Sequence, residues 1–159
     1  MARFIDPRWT NNLLDANILD DVANGRDPDV NEIVRLVDDE GLQVVLPYSV
    51  KAELESKSTP SHVRAAASHF LFTLQTSLTS QERQRRDRLF EAAKRNADLK
   101  NIAADLGHVF EAAKYGGYFI TKDSRLLSRR DTIVEVLQIN VVNPREFLAA
   151  IEQAKSRPF

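Results

Sequence analysis

The stretch "NNLLDANILDD" (residues 11–21) joins a short apolar run directly to a carboxylate. Leu13 and Leu14 have the character of a buried strand, and Asp15 follows them without a polar spacer. A carboxylate in this position loses hydration, which is costly unless the group is paired, hydrogen-bonded or given a cation. The stretch therefore predicts a strand that ends at a carboxylate, Asp15, whose charge is paired, hydrogen-bonded or bound to a cation.

Four apolar runs of this kind divide the chain: "NLLD" (12–15), "LQVVLP" (42–47), "YFIT" (118–121) and "INVVNP" (139–144). They are short and mostly not alternating, as is typical of parallel strands covered on both faces. Helical patterns fill the intervals, including one apolar stripe over 60–76 and a capping-box spacing at Thr79 and Glu82. Strands separated by helices predict a three-layer α/β/α fold with a central parallel sheet of four or five short strands. The order of the strands is not readable from the pattern.

The composition bounds the class of protein. A chain of 159 residues suits one domain, residues 1–159, and 22 Lys and Arg balance 23 Asp and Glu. Binding to nucleic acid would therefore come from a local patch and not from a global field. The absence of cysteine excludes disulfides, thiolate metal sites and a Cys nucleophile. We find neither a signal-peptide pattern nor an apolar run of about 20 residues, and we expect a soluble, cytoplasmic protein without a membrane segment.

Four carboxylates fall near the predicted carboxyl ends of the strands. Asp123 directly follows the third strand, Glu53 lies in the helix after the second, and Asp105 lies early in the helix "NIAADLGHVFEAAKYGG". Ligands of open α/β sheets bind at this edge, so these acids and Asp15 are expected to meet there. Two such charges 4 Å apart repel by about 4 kcal/mol at an effective dielectric of 20, which favours a hard cation among them. Oxygen ligands suit Mg²⁺ or Mn²⁺, and such ions beside a phosphate support phosphodiester cleavage.

Each acid taken alone has a simpler interpretation. Asp15 and Asp123 are placed to cap the helices that follow them, Asp105 suits a helix first turn, and Glu53 suits an exposed helix face. His108, one turn after Asp105, could face the same cleft, although a packed or hydrogen-bonded structural histidine is the favoured interpretation. The remaining acids are interpreted as solvated helix faces; those considered are Asp20, Asp21, Asp38, Asp39 and Glu111.

With these motifs in view, the sequence resembles the PIN-domain nucleases. The pieces that carry the resemblance are "LLDANIL", "VVLPYSVKAELE", "DLGHVFEAAKYGGYFITKDSRLL" and "INVVNPREFLAAI", which follow the family's order and span nearly the whole chain. The resemblance implies a PIN-like fold, dependence on divalent metal and hydrolysis of single-stranded RNA. The size and layout look most like the toxin subunits of VapC-type toxin–antitoxin pairs, which implies an antitoxin partner and a homodimer.

Residue by residue, the resemblance assigns the catalytic and metal-binding roles to Asp15, Glu53, Asp105 and Asp123. Asn17 matches the polar residue whose side chain supports the first acid, and Thr121 matches the Thr that precedes the last acid. The sequence departs from the family at Ala16, where a Thr is common, so one hydroxyl contact is missing.

Two groups of basic residues are candidates for contact with the RNA backbone. Lys122 and Arg125 flank the last acid. The segment 81–95, which contains Arg85 and Arg86, holds six basic side chains against three acidic ones. Phosphate contacts of this kind make binding salt-dependent without conferring sequence choice. A solvated helix face is the alternative for 81–95.

The sequence thus predicts a Mg²⁺- or Mn²⁺-dependent endoribonuclease. One alternative is a catalytically silent PIN-like module that binds RNA or a protein. Another is a receiver-like phosphoacceptor domain, which is also α/β with acids at strand ends, although the distant Glu53 fits that class poorly.

Overall fold

The computed structural model describes residues 4–56, 58–73, 78–95 and 103–157. Five parallel strands form one sheet in the order β3-β2-β1-β4-β5: β1 Asn11–Leu14, β2 Val44–Leu46, β3 Leu71–Phe72, β4 Gly116–Ile120 and β5 Asn140–Val142. The helices are α1 Leu19–Asn24, α2 Pro28–Glu40, α3 Tyr48–Leu54, α4 Ser61–Ala67, α5 Ser80–Arg95, α6 Ala103–Tyr115, α7 Ser124–Ser128, α8 Arg130–Leu137 and α9 Pro144–Ser156. The predicted three-layer α/β/α fold is confirmed.

Two separate apolar cores explain why the strands are hydrophobic without alternation. Leu14 and Ile120 pack into a cluster with α2 and α9 on one side of the sheet. Their strand neighbours Leu13 and Phe119 pack into a second cluster with α6 and α8 on the other side. Because successive side chains of a strand point to opposite faces, apolar residues follow one another directly where a strand is covered on both sides.

The central strands β1 and β4 approach each other closely at Gly116. A β-carbon at this position would lie 2.1 Å from the backbone oxygen of Asn11 and 2.6 Å from a methyl carbon of Leu13. Any larger residue would push the two strands apart at a point where the pairing is already irregular. The glycine is needed for close backbone approach.

Two helix starts follow their sequence signals. The Thr79 side chain accepts the amide of Glu82, whose carboxylate accepts the amide of Thr79, so the predicted capping box before α5 is confirmed. Asn143 and Glu146 make the same reciprocal pair before α9. These bonds satisfy backbone donors that a helix start leaves without an internal partner.

The single helix expected over 60–76 is wrong. Helix α4 ends at Ala67, and the chain then forms β3, in which Leu71 and Phe72 pair with Val45 and Leu46 of β2. Positions 74–76 lie outside the described residues. Pairing with the edge of the sheet satisfies backbone groups that a longer helix would have satisfied internally, and Leu71 is left 78% exposed.

None of the helices described is long and apolar enough to cross a bilayer.

Candidate functional site

The strand order places a topological switch point between β1 and β4. From β1 the chain moves outward to β2 and β3, then returns to the other side of β1 to form β4 and β5. Ligands of open α/β sheets bind in the crevice beyond the carboxyl ends of the strands at such a point. Asp15 directly follows β1, and Thr121 and Asp123 come just after β4. The order differs from the 2-1-3-4-5 order of flavodoxin-like folds, to which receiver domains belong.

Asp15 is held at this point by a buried hydroxyl. The Thr121 Oγ1 donates a hydrogen bond of 2.7 Å to Asp15 Oδ2, and both residues are buried. Thr121 Oγ1 in turn accepts from the Asn17 amide at 3.1 Å and from the backbone amide of Asp123 at 3.0 Å. Asn17 therefore supports the first acid through Thr121. Within the described residues, Asp15 makes no side-chain capping bond to the turn that follows it.

The burial of Asp15 is energetically unfavourable for its charged form. Burial raises the pKa of this carboxyl from 3.8 to about 6, against the opposing effect of the Thr121 hydrogen bond. The negative charge of Asp105 raises it further. An acid that resists ionisation inside a cleft of other acids is a recognised mark of functional sites.

Arg125 joins Asp105 to Asp123. One guanidinium nitrogen lies 3.4 Å from Asp105 Oδ2 and 3.2 Å from Asp123 Oδ2. Asp123 also caps α7 by accepting the Arg125 amide, so the capping interpretation is correct for this residue. Burial acts to raise the pKa of Asp123, but the hydrogen bonds and charge of Arg125 outweigh it and the pKa is lowered. The pKa of Asp105 is raised, by burial first and then by the charges of Asp123 and Glu53.

Glu53 enters the site from α3 and is hydrogen-bonded to a histidine. His108 Nε2 lies 2.7 Å from Glu53 Oε1, and His108 Nδ1 lies 2.7 Å from the Ser49 hydroxyl. Glu53 remains the most exposed of the four acids, with a side chain 53% exposed against 10% for His108. The four carboxylates therefore share one edge of the sheet. The charges of Asp123 and Glu53 raise the pKa of Asp105, and the charge of Asp105 raises the pKa of Asp15.

The interpretation of Glu111 as a solvated residue on a helix face is wrong. Its carboxylate accepts the backbone amide of Ser49 at 2.8 Å and the Thr73 hydroxyl at 3.2 Å. Helix α3 begins after Pro47, whose side chain cannot accept a hydrogen bond. A carboxylate from α6 supplies the missing acceptor at the positive end of that helix.

The chemistry of the donor set fits a hard divalent cation. Its potential ligands are carboxylate oxygens, and the charged forms of Asp15 and Asp105 are destabilised without a cation. The Arg125 guanidinium lies against Asp105 and Asp123, which shows that this pair accepts a positive group. The side chains do not form a complete coordination site, since among the described residues no three acidic or histidine side chains are placed to bind one ion together.

Three of the basic residues considered for contact with RNA, Lys122, Arg85 and Arg86, differ in their surroundings. Lys122 Nζ lies 2.8 Å from Asp21 Oδ2 and is also bonded to Asp27, so its ammonium is already engaged. Asp21 is consequently half-buried in an ion pair, and its interpretation as a solvated residue is wrong. Arg85 is exposed on α5, whereas Arg86 lines a cavity of about 440 Å³ that Ser49 also lines.

The sequence gave no prediction for Ser49 and favoured a structural role for His108 over a place in the cleft. A weak signal was available, since Ser49 lies one helical turn before Glu53 and His108 one turn after Asp105. Those spacings place each pair on one helix face but do not show that the two faces meet.

Comparison of the chain with protein-family models, curated proteins and solved structures found no match in any of the three.

Proposed function

We propose that this chain is a Mg²⁺- or Mn²⁺-dependent endoribonuclease that hydrolyses phosphodiester bonds of single-stranded RNA. One observation carries the proposal: four carboxylates lie near enough at the switch point for the charges of Asp123 and Glu53 to act on Asp105 and that of Asp105 on Asp15, whose pKa burial raises to about 6. A cluster of this kind lowers the stability of the metal-free protein. Its presence is accounted for by a cation that binds there and offsets the charge.

The residues that would hold the cation are Asp15, Glu53, Asp105 and Asp123. When bound, Mg²⁺ or Mn²⁺ lowers the pKa of an attacking water and offsets charge on the leaving oxygen. Thr121 keeps Asp15 oriented through its 2.7 Å hydrogen bond. Arg125, whose side chain is 56% exposed, is a basic group at the rim of the site that can contact a phosphate oxygen.

The test is cleavage of a fluorescent single-stranded RNA by the purified chain in Mg²⁺, in Mn²⁺ and in chelator. We expect cleavage in either metal, none in chelator, and none by Asp105→Asn or Asp123→Asn. A single-stranded DNA of the same sequence, tested in parallel, shows whether the 2′-hydroxyl is required.

Asp39→Asn is the matched control. It makes the same chemical change at an exposed aspartate near the end of α2. Helix α2 leads into β2, so its end lies at the opposite edge of the sheet from the site. We expect this variant to cleave like the wild type. Cleavage that survives in Asp105→Asn or Asp123→Asn, or that persists in chelator, contradicts the proposal.

The alternative is a catalytically silent module that binds RNA or a protein. The ion pairs of Arg125 favour it, because a guanidinium that neutralises Asp105 and Asp123 makes a metal dispensable for folding. This alternative predicts binding of the same RNA in chelator without cleavage in either metal, which a fluorescence anisotropy titration measures.

The toxin role, the antitoxin and the homodimer are proposals that rest on the resemblance to VapC-type toxins. Expression of the chain in bacteria tests the role: we expect growth arrest with the wild type and none with Asp123→Asn. Light scattering of the purified chain measures whether it is a dimer. Normal growth at a verified expression level of the wild type contradicts the toxin role but leaves the ribonuclease proposal standing.

A further inference from the structure

His108 bonds both ends of one helical turn of α3. Its Nδ1 lies 2.7 Å from the Ser49 hydroxyl and its Nε2 lies 2.7 Å from Glu53 Oε1. Ser49 and Glu53 are four residues apart on the same helix, and the imidazole that joins them comes from α6. The ring is buried, whereas the Glu53 carboxylate that it holds is exposed.

The hydrogen-bond partners determine which ring nitrogen carries the proton. An ionised carboxylate only accepts, so the nitrogen that faces Glu53 carries hydrogen. In the neutral ring the other nitrogen then accepts from the Ser49 hydroxyl. Ser49 is itself anchored, because its backbone amide donates to Glu111 at 2.8 Å. The ring orientation is therefore set on one side by Glu53 and on the other by Ser49, which Glu111 anchors.

We propose that His108 is a positioning residue that holds the Glu53 carboxylate toward the other acids, with Ser49 fixing the ring. Glu53 has the longest side chain of the four acids and the most exposed one. Without a partner it would sample many rotamers, and a cation would have to order it on binding. The inference rests on the proposed metal-dependent function, and it assigns His108 no contact with the metal or the RNA.

The experiment compares His108→Gln with His108→Asn in the full chain. The Gln amide reaches about as far as Nε2 and can still donate to Glu53. The Asn amide reaches only about as far as Nδ1, where it can bond Ser49 but not Glu53. Mn²⁺ affinity is measured by titration with Mn²⁺ alone, and kcat and KM are measured on single-stranded RNA.

We expect His108→Asn to lose about 10- to 100-fold in Mn²⁺ affinity and in kcat, with KM for RNA unchanged, because supporting partners of metal ligands typically have effects of this size. His108→Gln should stay within a few-fold of the wild type. In a Glu53→Gln background, His108→Asn should cause no further loss, since the two residues then act as one unit. A role confined to joining α3 and α6 would instead lower the melting temperature and leave Mn²⁺ affinity of the folded protein unchanged.

A readout without metal is the ring tautomer. Nitrogen NMR of the metal-free protein should show the Nε2–H form of His108 in the wild type, because the Glu53 carboxylate can only accept, and this readout also serves if His108→Asn does not fold. Wild-type Mn²⁺ affinity in folded His108→Asn, or the Nδ1–H form of His108 in the wild type, overturns the proposal. A wild type that neither binds Mn²⁺ nor cleaves RNA overturns the proposed function and this inference with it. Cleavage that is insensitive to His108 overturns the inference alone.

Discussion

Replacing Asp15 with Asn should make the metal-free protein more stable at neutral pH. The pKa of Asp15 is raised from 3.8 to about 6, so the folded state binds its proton more tightly than the unfolded state. The wild type therefore loses unfolding free energy as pH rises from about 4 to about 6, and the loss approaches about 3 kcal/mol above that range. Asn keeps an oxygen that accepts the Thr121 hydroxyl and has no charge to bury.

The assay is chemical denaturation in chelator at several pH values between 4 and 8. We expect Asp15→Asn and the wild type to be nearly equal near pH 4. Above pH 6 the variant should be more stable by up to about 3 kcal/mol, which is about 6–12 °C in melting temperature for a chain of this size. Asp39→Asn, at an exposed position, should show no such difference.

Added Mn²⁺ should reverse the ranking, because a bound cation stabilises the native state of the wild type by mass action and the variant lacks one ligand. The reasoning is refuted if Asp15→Asn is less stable than the wild type at pH 7 in chelator, or if the difference between them does not depend on pH. The first result would mean that the Asp15 carboxylate is favourably paired in the native state.

Three further substitutions test neighbouring side chains. Asp123→Asn should be destabilising at pH 7 by less than about 1 kcal/mol, because it keeps a capping oxygen but loses the charge that pairs with the exposed Arg125. Since the pKa of Asp123 is lowered, the difference should shrink as pH falls through that lowered value, which denaturation over a series of pH values down from pH 7 measures. Arg125→Gln should raise Mn²⁺ affinity several-fold, because it removes a positive group from Asp105 and Asp123, and yet raise KM for RNA; a fall in Mn²⁺ affinity would contradict the competition between guanidinium and metal. Lys122→Met should leave KM for RNA unchanged while lowering stability, because its ammonium pairs with Asp21 and Asp27; a large rise in KM with unchanged melting temperature would instead identify Lys122 as a phosphate contact.

Much of the candidate site was predictable because the acids follow local signals. Asp15 and Asp123 come after apolar runs, and parallel strands bring their carboxyl ends to one edge of a sheet. The resemblance predicted that Asn17 supports the first acid and matched Thr121 without assigning it a contact, and the structure shows that Asn17 acts through the Thr121 hydroxyl. Glu111 was misinterpreted because its partners, Ser49 and Thr73, are 62 and 38 residues away in the chain.

The sequence by itself determined the strands β1, β2, β4 and β5, the capping boxes and the α/β/α class, because each depends on neighbouring residues and on which faces must be apolar. Only the tertiary structure decided the strand order, the two-residue strand β3 and the contact of His108 with Ser49 and Glu53. Strand β3 forms because the edge of β2 supplies backbone hydrogen-bond partners, and no pattern of neighbouring residues predicts that these partners are present. The burial that raises the pKa of Asp15 likewise comes from the packing of distant segments, so its charge cost is a property of the fold and not of the stretch in which it lies.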